Sequence, residues 1–183
     1  MKRVKDEELL VAQLKNPDTQ EQAFRDLMSL YKERLYWHIR KIVLSHDDAD
    51  DVLQNTFIKV FKNIHSFKEN SKLYSWMYRI ATNEAITFIN KKAAKQHIDI
   101  SELQHKMAND LQEDTNYSGD EIQLLLQKAI FTLPQKQQLV FNMKYYDEMK
   151  YTDISEVLGT SVGALKASYF HAVKKIEEFL KSY

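Results

Sequence analysis

Three glycines and two prolines are all the punctuation in a chain of 183 residues. Tight turns draw on glycine for left-handed backbone and on proline for a fixed φ. A chain this poor in both cannot make the many turns that an all-β fold requires. Leu, Ile, Lys, Glu, Gln and Ala fill the sequence instead, and these are strong helix formers. The expected fold class is all-α.

Apolar residues at spacings of three and four divide the chain into segments. Val4 to Lys15 reads as a short amphipathic helix, stopped by Asn16-Pro17. A second helix starts near Asp18 or Thr19 and runs to about Leu44. The string "SHDDAD" interrupts it, and Asp47 or Asp48 can cap a third helix. The buried face of that helix is Val52, Leu53, Phe57, Val60 and Phe61. A polar loop from Asn63 to Lys72 precedes a long helix carrying Leu73, Trp76, Met77, Ile80, Ile86 and Ile89. Periodicity then fades from Gln96 to Gly119, which reads as a linker with at most a transient helical turn. It resumes at Ile122 in two helices divided at Leu133-Pro134, and a last helical pair ends the chain. The expected architecture is two helical domains: a bundle of about four helices over 1–95 and a smaller helix-turn-helix domain over 121–183. A flexible acidic linker over 96–120 joins them.

Formal net charge is zero, which alone argues against a nucleic-acid binder. The distribution argues differently. Residues 50–95 hold eight Lys/Arg against four Asp/Glu; residues 96–121 hold one against seven; residues 122–183 hold eight against six. A basic stretch, an acidic one and a mildly basic one follow in order. The absence of cysteine excludes disulfides and cysteine zinc sites and fits a reducing compartment. Nothing reads as a signal peptide or a membrane span, so the expectation is cytoplasmic, with no direct membrane insertion. There is no glycine-rich phosphate loop, HExxH or nucleophile elbow. Six histidines lie scattered without metal spacing. No catalytic residue, metal, cofactor or small-molecule substrate is therefore expected, and the protein reads as a non-enzyme.

The last pair of helices, "TDISEVLGTSVGALKASYFHA", carries the most chemistry. Thr152 is the expected cap of a helix beginning at Asp153, with Ile154, Val157 and Leu158 inward. Gly159 suits the left-handed position that ends a helix. Ser161 caps the next, whose inward stripe is Leu165, Tyr169, Ala172, Ile176 and Leu180. This is helix-turn-helix spacing, in which the second helix enters the major groove. Its outward face is Gly163, Ala164, Lys166, Ala167, Phe170, His171, Lys174 and Lys175. Small residues permit close approach and lysines suit phosphates. An ordinary helical hairpin has the same spacing, so the pair alone leaves both readings open.

Together with "DADDVLQNTFIKVFKNI" and "FKENSKLYSWMYRIATNEAITFINKK", the stretch "LPQKQQLVFNMKYYDEMKYTDISEVLGTSVGALKASYFHAVKKI" resembles the bacterial sigma factors of the extracytoplasmic-function (ECF) group. The resemblance runs from about Phe24 to Leu180 and takes both domains in order. It implies a subunit that binds core RNA polymerase, directs it to promoter DNA and helps melt the −10 element. Asp48, Asp51, Gln54 and Asn55 would meet the β′ clamp helices, with Asn55 standing where the family has glutamate. Phe57 also matches, but lies on the apolar stripe and reads as core. His65, Lys68, Asn70, Ser71 and Lys72 of the loop, with Tyr74, Arg79, Asn83, Lys91 and Lys92 of the helix, would hold the melted −10 strand. Such a site must trap an extruded base and steady a backbone. Trp76 pairs with Ile80 at helical spacing and reads as core; Tyr78 is a further candidate.

In the second domain the resemblance implies −35 recognition by Ser161, Gly163, Ala164, Lys166, Ala167, Phe170, His171 and Lys174, together with docking on the β flap. Ala164, Ala167, Ser168 and His171 replace the family's Thr, Ser and two arginines, which removes fixed cations and predicts weaker, less salt-sensitive binding. The acidic linker would thread the polymerase's basic channels, and an anti-sigma factor is an expected further partner. The rival readings are a stand-alone helix-turn-helix regulator and an adaptor that binds only proteins.

Overall fold

The computed structural model describes residues 2–110 and 121–182. Among these it has nine α-helices, one 3₁₀ turn and no strand. The helices are α1 (Lys2–Lys15), α2 (Gln20–Val43), α3 (His46–Asn63), α4 (Leu73–Gln96), α5 (Ile100–Asp110), α6 (Glu121–Phe131), α7 (Gln135–Tyr145), α8 (Tyr151–Leu158) and α9 (Val162–Lys181). The 3₁₀ turn, Ile64–Ser66, follows α3.

In the first domain α2, α3 and α4 pack against one another, with α1 across α2. Leu27, Leu35, Ile39, Val60, Leu73, Met77 and Ala81 are sealed from solvent at the centre. Each sits on the three-and-four stripe of its own helix, so one apolar face per helix suffices to build the bundle. The cap of α3 differs from the expectation. Ser45 fills that role, its hydroxyl accepting from the Asp48 backbone N–H at 3.3 Å. Asp47 and Asp48 already lie in the first turn, where they complement the positive end of the helix dipole. Phe61 also departs from its expected place, being 42% exposed. It sits one residue past Val60, turned to the edge of the stripe.

The expectation of a segment with at most a transient turn fails over α5. Asp99 starts this helix: its carboxylate accepts from the Ser101 hydroxyl (2.6 Å) and the Glu102 backbone N–H (2.8 Å). These bonds hold the Asp99 carboxyl below the usual carboxylate range. Leu103 and Met107, one turn apart, are both buried. Two inward residues among polar neighbours are too sparse to register as periodicity, yet enough to seat a helix on a core that already exists. The rest of the expected linker, 111–120, lies outside the described residues.

In the second domain Ala129, Ile130, Leu133, Phe141, Ala172 and Ile176 form a core between α6, α7 and α9. Helix α8 starts at Tyr151, two residues earlier than expected. Thr152 is therefore inside it, and Lys150 occupies the cap position without a side-chain bond. Gly159 takes the left-handed conformation (φ 61°) and Ser161 caps α9 by accepting from the Ala164 N–H at 3.3 Å. The inward stripe of α9 includes Leu165, Ala172 and Ile176, but Leu180 is 37% exposed near the chain end.

The two domains share a buried surface. Leu139, Val140, Met143, Met149, Ile154 and Val157 join the apolar cluster of the first domain. Helix α8 lies on α4, and α7 reaches α2.

Candidate nucleic-acid and polymerase interface

Three expected polymerase contacts share one face of α3. Asp51, Gln54 and Asn55 are all exposed, at the spacing that puts them over successive turns. Ile58 continues the stripe and is 50% exposed. Beside it, Phe24 and Met28 of α2 with Leu53, Phe57, Ile58 and Phe61 of α3 line an apolar groove of about 550 Å³, edged by Lys32 and Lys62. Phe57 is buried at its floor, as expected for a core residue. Ile58 and Phe61 escaped the sequence reading as surface residues. Their signal was present, since Gln54, Ile58 and Phe61 recur at four and three, but an apolar residue on a buried-looking helix is assigned inward by default.

Asp48 stands apart from its three companions. It is half-buried and accepts from Lys92 Nζ at 2.6 Å. A residue expected to meet polymerase and one expected to meet DNA are thus bonded to each other across α3 and α4.

The loop before α4 is tied down at both ends. Lys15 of α1 donates to the Phe67 carbonyl (3.0 Å) and to the Glu69 carboxylate (2.6 Å). Glu7, also from α1, accepts from the Leu73 backbone N–H at 2.7 Å and so satisfies an orphan donor at the start of α4. Phe67 is buried and packs on Trp76 at 5.2 Å between ring centroids, which makes Trp76 a packing residue. Between these anchors Lys68 and Asn70 are exposed and Ser71 is half-exposed, and His65, in the 3₁₀ turn before them, is also exposed. On α4, Arg79, Asn83 and Lys91 are also exposed. Tyr78 is excluded as a DNA contact: it is 1% exposed, against His38. Burial, then the nearby Asp147 charge, pushes its phenol well above the ordinary tyrosine value.

Three residues of this face already have partners in the second domain. Asp153 of α8 accepts from Lys72 Nζ at 2.9 Å and from the Tyr74 hydroxyl. Burial and the Asp153 bond push the Tyr74 hydroxyl far above its ordinary pKa, so it remains a donor. Arg79 Nε donates to the Glu156 carbonyl at 3.0 Å, and a second guanidinium nitrogen joins it. A second polar junction lies nearby. Asp147 accepts from His38 Nδ1 (2.8 Å) and Lys41 Nζ (2.9 Å), while His38 Nε2 meets the Thr82 hydroxyl at 2.9 Å. Burial pushes the Asp147 carboxyl up, but the His38 hydrogen bond and the charges of His38 and Lys41 outweigh it and hold the group below the carboxylate range.

The outward face of α9 is open. Ser161, Gly163, Ala164, Lys166, Ala167, Phe170, His171 and Lys174 are all exposed, Phe170 to 65%. Ser168 is half-buried. Nothing lies within 4 Å of where a Gly163 Cβ would stand, so packing inside the chain does not demand glycine there. Among the described residues no group of three acidic, histidine or cysteine side chains could hold a metal ion. No described helix is long and apolar enough to cross a membrane.

Residues 27–95 match the Sigma-70 region 2 family, and residues 123–176 match the Sigma-70 region 4 family. The chain is 30% identical over 164 residues to the ECF RNA polymerase sigma factor SigW of Bacillus subtilis, covering 85% of this chain and 87% of that protein. It is 27% identical over 166 residues to the ECF RNA polymerase sigma-E factor of Haemophilus influenzae, covering 85% and 86%. Its fold is similar to that of CnrH solved with the cytosolic domain of CnrY (TM-score 0.69, 19% identity, 96% of this chain and 97% of that one). It is also similar to the sigma factor RpoE of Bartonella quintana solved with the anti-sigma factor NepR (TM-score 0.66, 21% identity, 86% and 96%). Two sigma regions in order, each built on its own helical core, make the chain a member of the extracytoplasmic-function group of RNA polymerase sigma factors, which are initiation subunits and not enzymes.

Proposed function

We propose that this sigma factor acts in the cytoplasm, docks on core polymerase through the outer face of α3, reads the −35 element with α9, and holds the melted −10 strand with the loop and first half of α4. The carrying observation is the match to region 2 and region 4 in order on one chain. Asp51, Gln54 and Asn55 offer polar contacts to the β′ clamp helices, and the groove edged by Ile58 and Phe61 offers apolar area beside them. A central apolar anchor with a polar rim is the anatomy of a specific protein interface. Lys68, Asn70, Lys72, Arg79 and Lys91 supply cations and amides for a single strand, with Tyr74 as an aromatic surface. Ser161, Gly163 and Ala164 keep the start of α9 slim enough to enter a major groove, and Lys166 and Lys174 suit its phosphates. Docking of the second domain on the β flap belongs to the same reading. So does an anti-sigma factor, the kind of partner with which RpoE was solved. The acidic linker would lie in the polymerase's basic channels.

Run-off transcription with core polymerase from the source organism and a pool of its promoter DNA tests the proposal. Discrete transcripts that need both core and this chain are expected. Sequence-specific DNA binding by the chain alone, with no transcript, would replace it with the stand-alone regulator.

A further inference from the structure

Residues 27–95 carry the match to region 2, yet two side chains outside that span hold the loop before α4. Lys15 Nζ donates to the Phe67 carbonyl at 3.0 Å and to the Glu69 carboxylate at 2.6 Å, and it lies 5.9 Å from the centre of the Phe67 ring. Glu7 accepts from the Leu73 N–H at 2.7 Å. Both stand on a fixed base. Val11 and Leu14 of α1 are buried, and the Gln20 amide and the Thr19 hydroxyl donate to the Leu14 and Gln13 carbonyls, each at 2.9 Å. The loop needs holding. Glu69 takes a left-handed conformation (φ 59°), which residues with a Cβ rarely adopt. Such a conformation persists where its surroundings impose it, and the Glu69 carboxylate is tied to Lys15.

We propose that Lys15 and Glu7 are positioning residues for promoter opening: through α1 they hold the loop from Phe67 to Lys72 in the shape that receives the melted −10 strand, without contacting the strand themselves. This rests on the functional reading above. Magnitudes separate shape from stability here. Phe67 and Leu73 are buried at the two ends of the loop, and apolar burial of that kind is what holds the domain together. An ion pair between half-solvated groups adds little to that. It does fix a conformation. Without Lys15 and Glu7 the backbone between Phe67 and Leu73 regains freedom that it must give up again when a strand binds.

The test uses holoenzyme assembled from this chain and core polymerase of the source organism, on a promoter found by the run-off assay. A fluorescent adenine analogue in the −10 element brightens as it unstacks and so times opening. Lys15→Met and Glu7→Ala are expected to slow opening at saturating holoenzyme by about tenfold or more, the scale on which small misplacements act. The holoenzyme concentration for half-maximal rate and the affinity for core should stay as in the unsubstituted chain. Tm should fall by no more than about 4 °C, as for loss of a surface bond or a cap. Lys15→Arg and Glu7→Gln keep the donor and the acceptor and should open at the original rate. Glu69→Ala separates shape from charge. It breaks the Lys15 pair from the loop side while removing a negative charge, a change that by itself favours DNA. Slowing by Lys15→Met and Glu69→Ala alike is expected; slowing by the first with acceleration by the second makes the pair a charge effect and overturns the proposal. Unchanged rates overturn it too, as does a loss of core binding or of Tm in step with the rate. Amide hydrogen exchange from Phe67 to Leu73 in the free chain reads the loop without polymerase, and Lys15→Met and Glu7→Ala should each speed it by about tenfold or more. Exchange that does not change overturns the proposal. A chain that gives no transcript with core refutes the functional reading, and the role in opening with it, while the exchange data still decide whether α1 holds the loop.

Discussion

Gly163 is the residue whose chemistry separates folding from function most clearly. It sits inside α9 in ordinary helical backbone, with open space where a Cβ would go. Alanine there should stabilise the chain by about 0.5–1 kcal/mol, since glycine is the poorer helix former. If α9 enters a groove, the same methyl meets DNA. Gly163→Ala is therefore expected to raise Tm while weakening −35 binding, measured by thermal melting and by mobility shift on the identified promoter. A gain in Tm with unchanged binding would move the groove contact away from this position. Gly159 has the opposite character. Its φ of 61° is forced by the turn, so Gly159→Ala is expected to lower stability by about 1 kcal/mol or more. The role of Gly159 was legible in the sequence, because a glycine after an apolar stripe with a serine two residues on has few other uses. The role of Asp153 was not. It read as the first residue of a short helix, and only packing of α8 on α4 shows that its carboxylate faces Lys72 and Tyr74.

Helices were legible where their apolar stripe was dense and illegible where it was thin. The stripes of α2, α4 and α9 each run over several turns, and local spacing was enough to place them. Helix α5 shows the limit. Leu103 and Met107 are its buried contacts, and their burial depends on neighbours distant in sequence. Leu103→Ala is expected to cost about 2–5 kcal/mol, as for a buried leucine elsewhere, and to lower the urea midpoint accordingly. A change near zero would mean that α5 rides on the surface and that the linker reading was right. Helix α3 gives a complementary case. Its inner residues were placed correctly except Phe61, which with Ile58 forms the apolar lip of the groove. Ile58→Asp puts a charge on an already exposed position, so folding should survive. Pull-down of core polymerase by the variant should fall at least about tenfold if this lip is an anchor of the interface.

For the whole molecule the informative group is Asp147, the junction between domains. His38 and Lys41 of α2 face it as partners, and Tyr78 of α4 feels its charge. Its carboxyl is held below the ordinary value only while the domains are closed. A group with a depressed value stabilises the state that depresses it above the ordinary value of about 3.9, and that stabilisation is lost as pH falls through the lower one. Closure should therefore be intact at neutral pH and weaken only below about pH 4. The distance between dyes at Glu33→Cys and Lys175→Cys, exposed positions of α2 and α9, followed with circular dichroism from neutral to acid, should lengthen before or together with loss of helicity. A distance that stays short until the helices melt would show that apolar contacts alone hold the domains. None of this could be read from spacing, since periodicity reports the inner face of each helix and says nothing about which domain covers it. The loop before α4 carries one more consequence. Lys15 grips one end of it and Glu7 the other. It is an arch between two fixed abutments, so residues inserted at its crown, near Asn70, would lengthen the arch without shifting the helix it springs from.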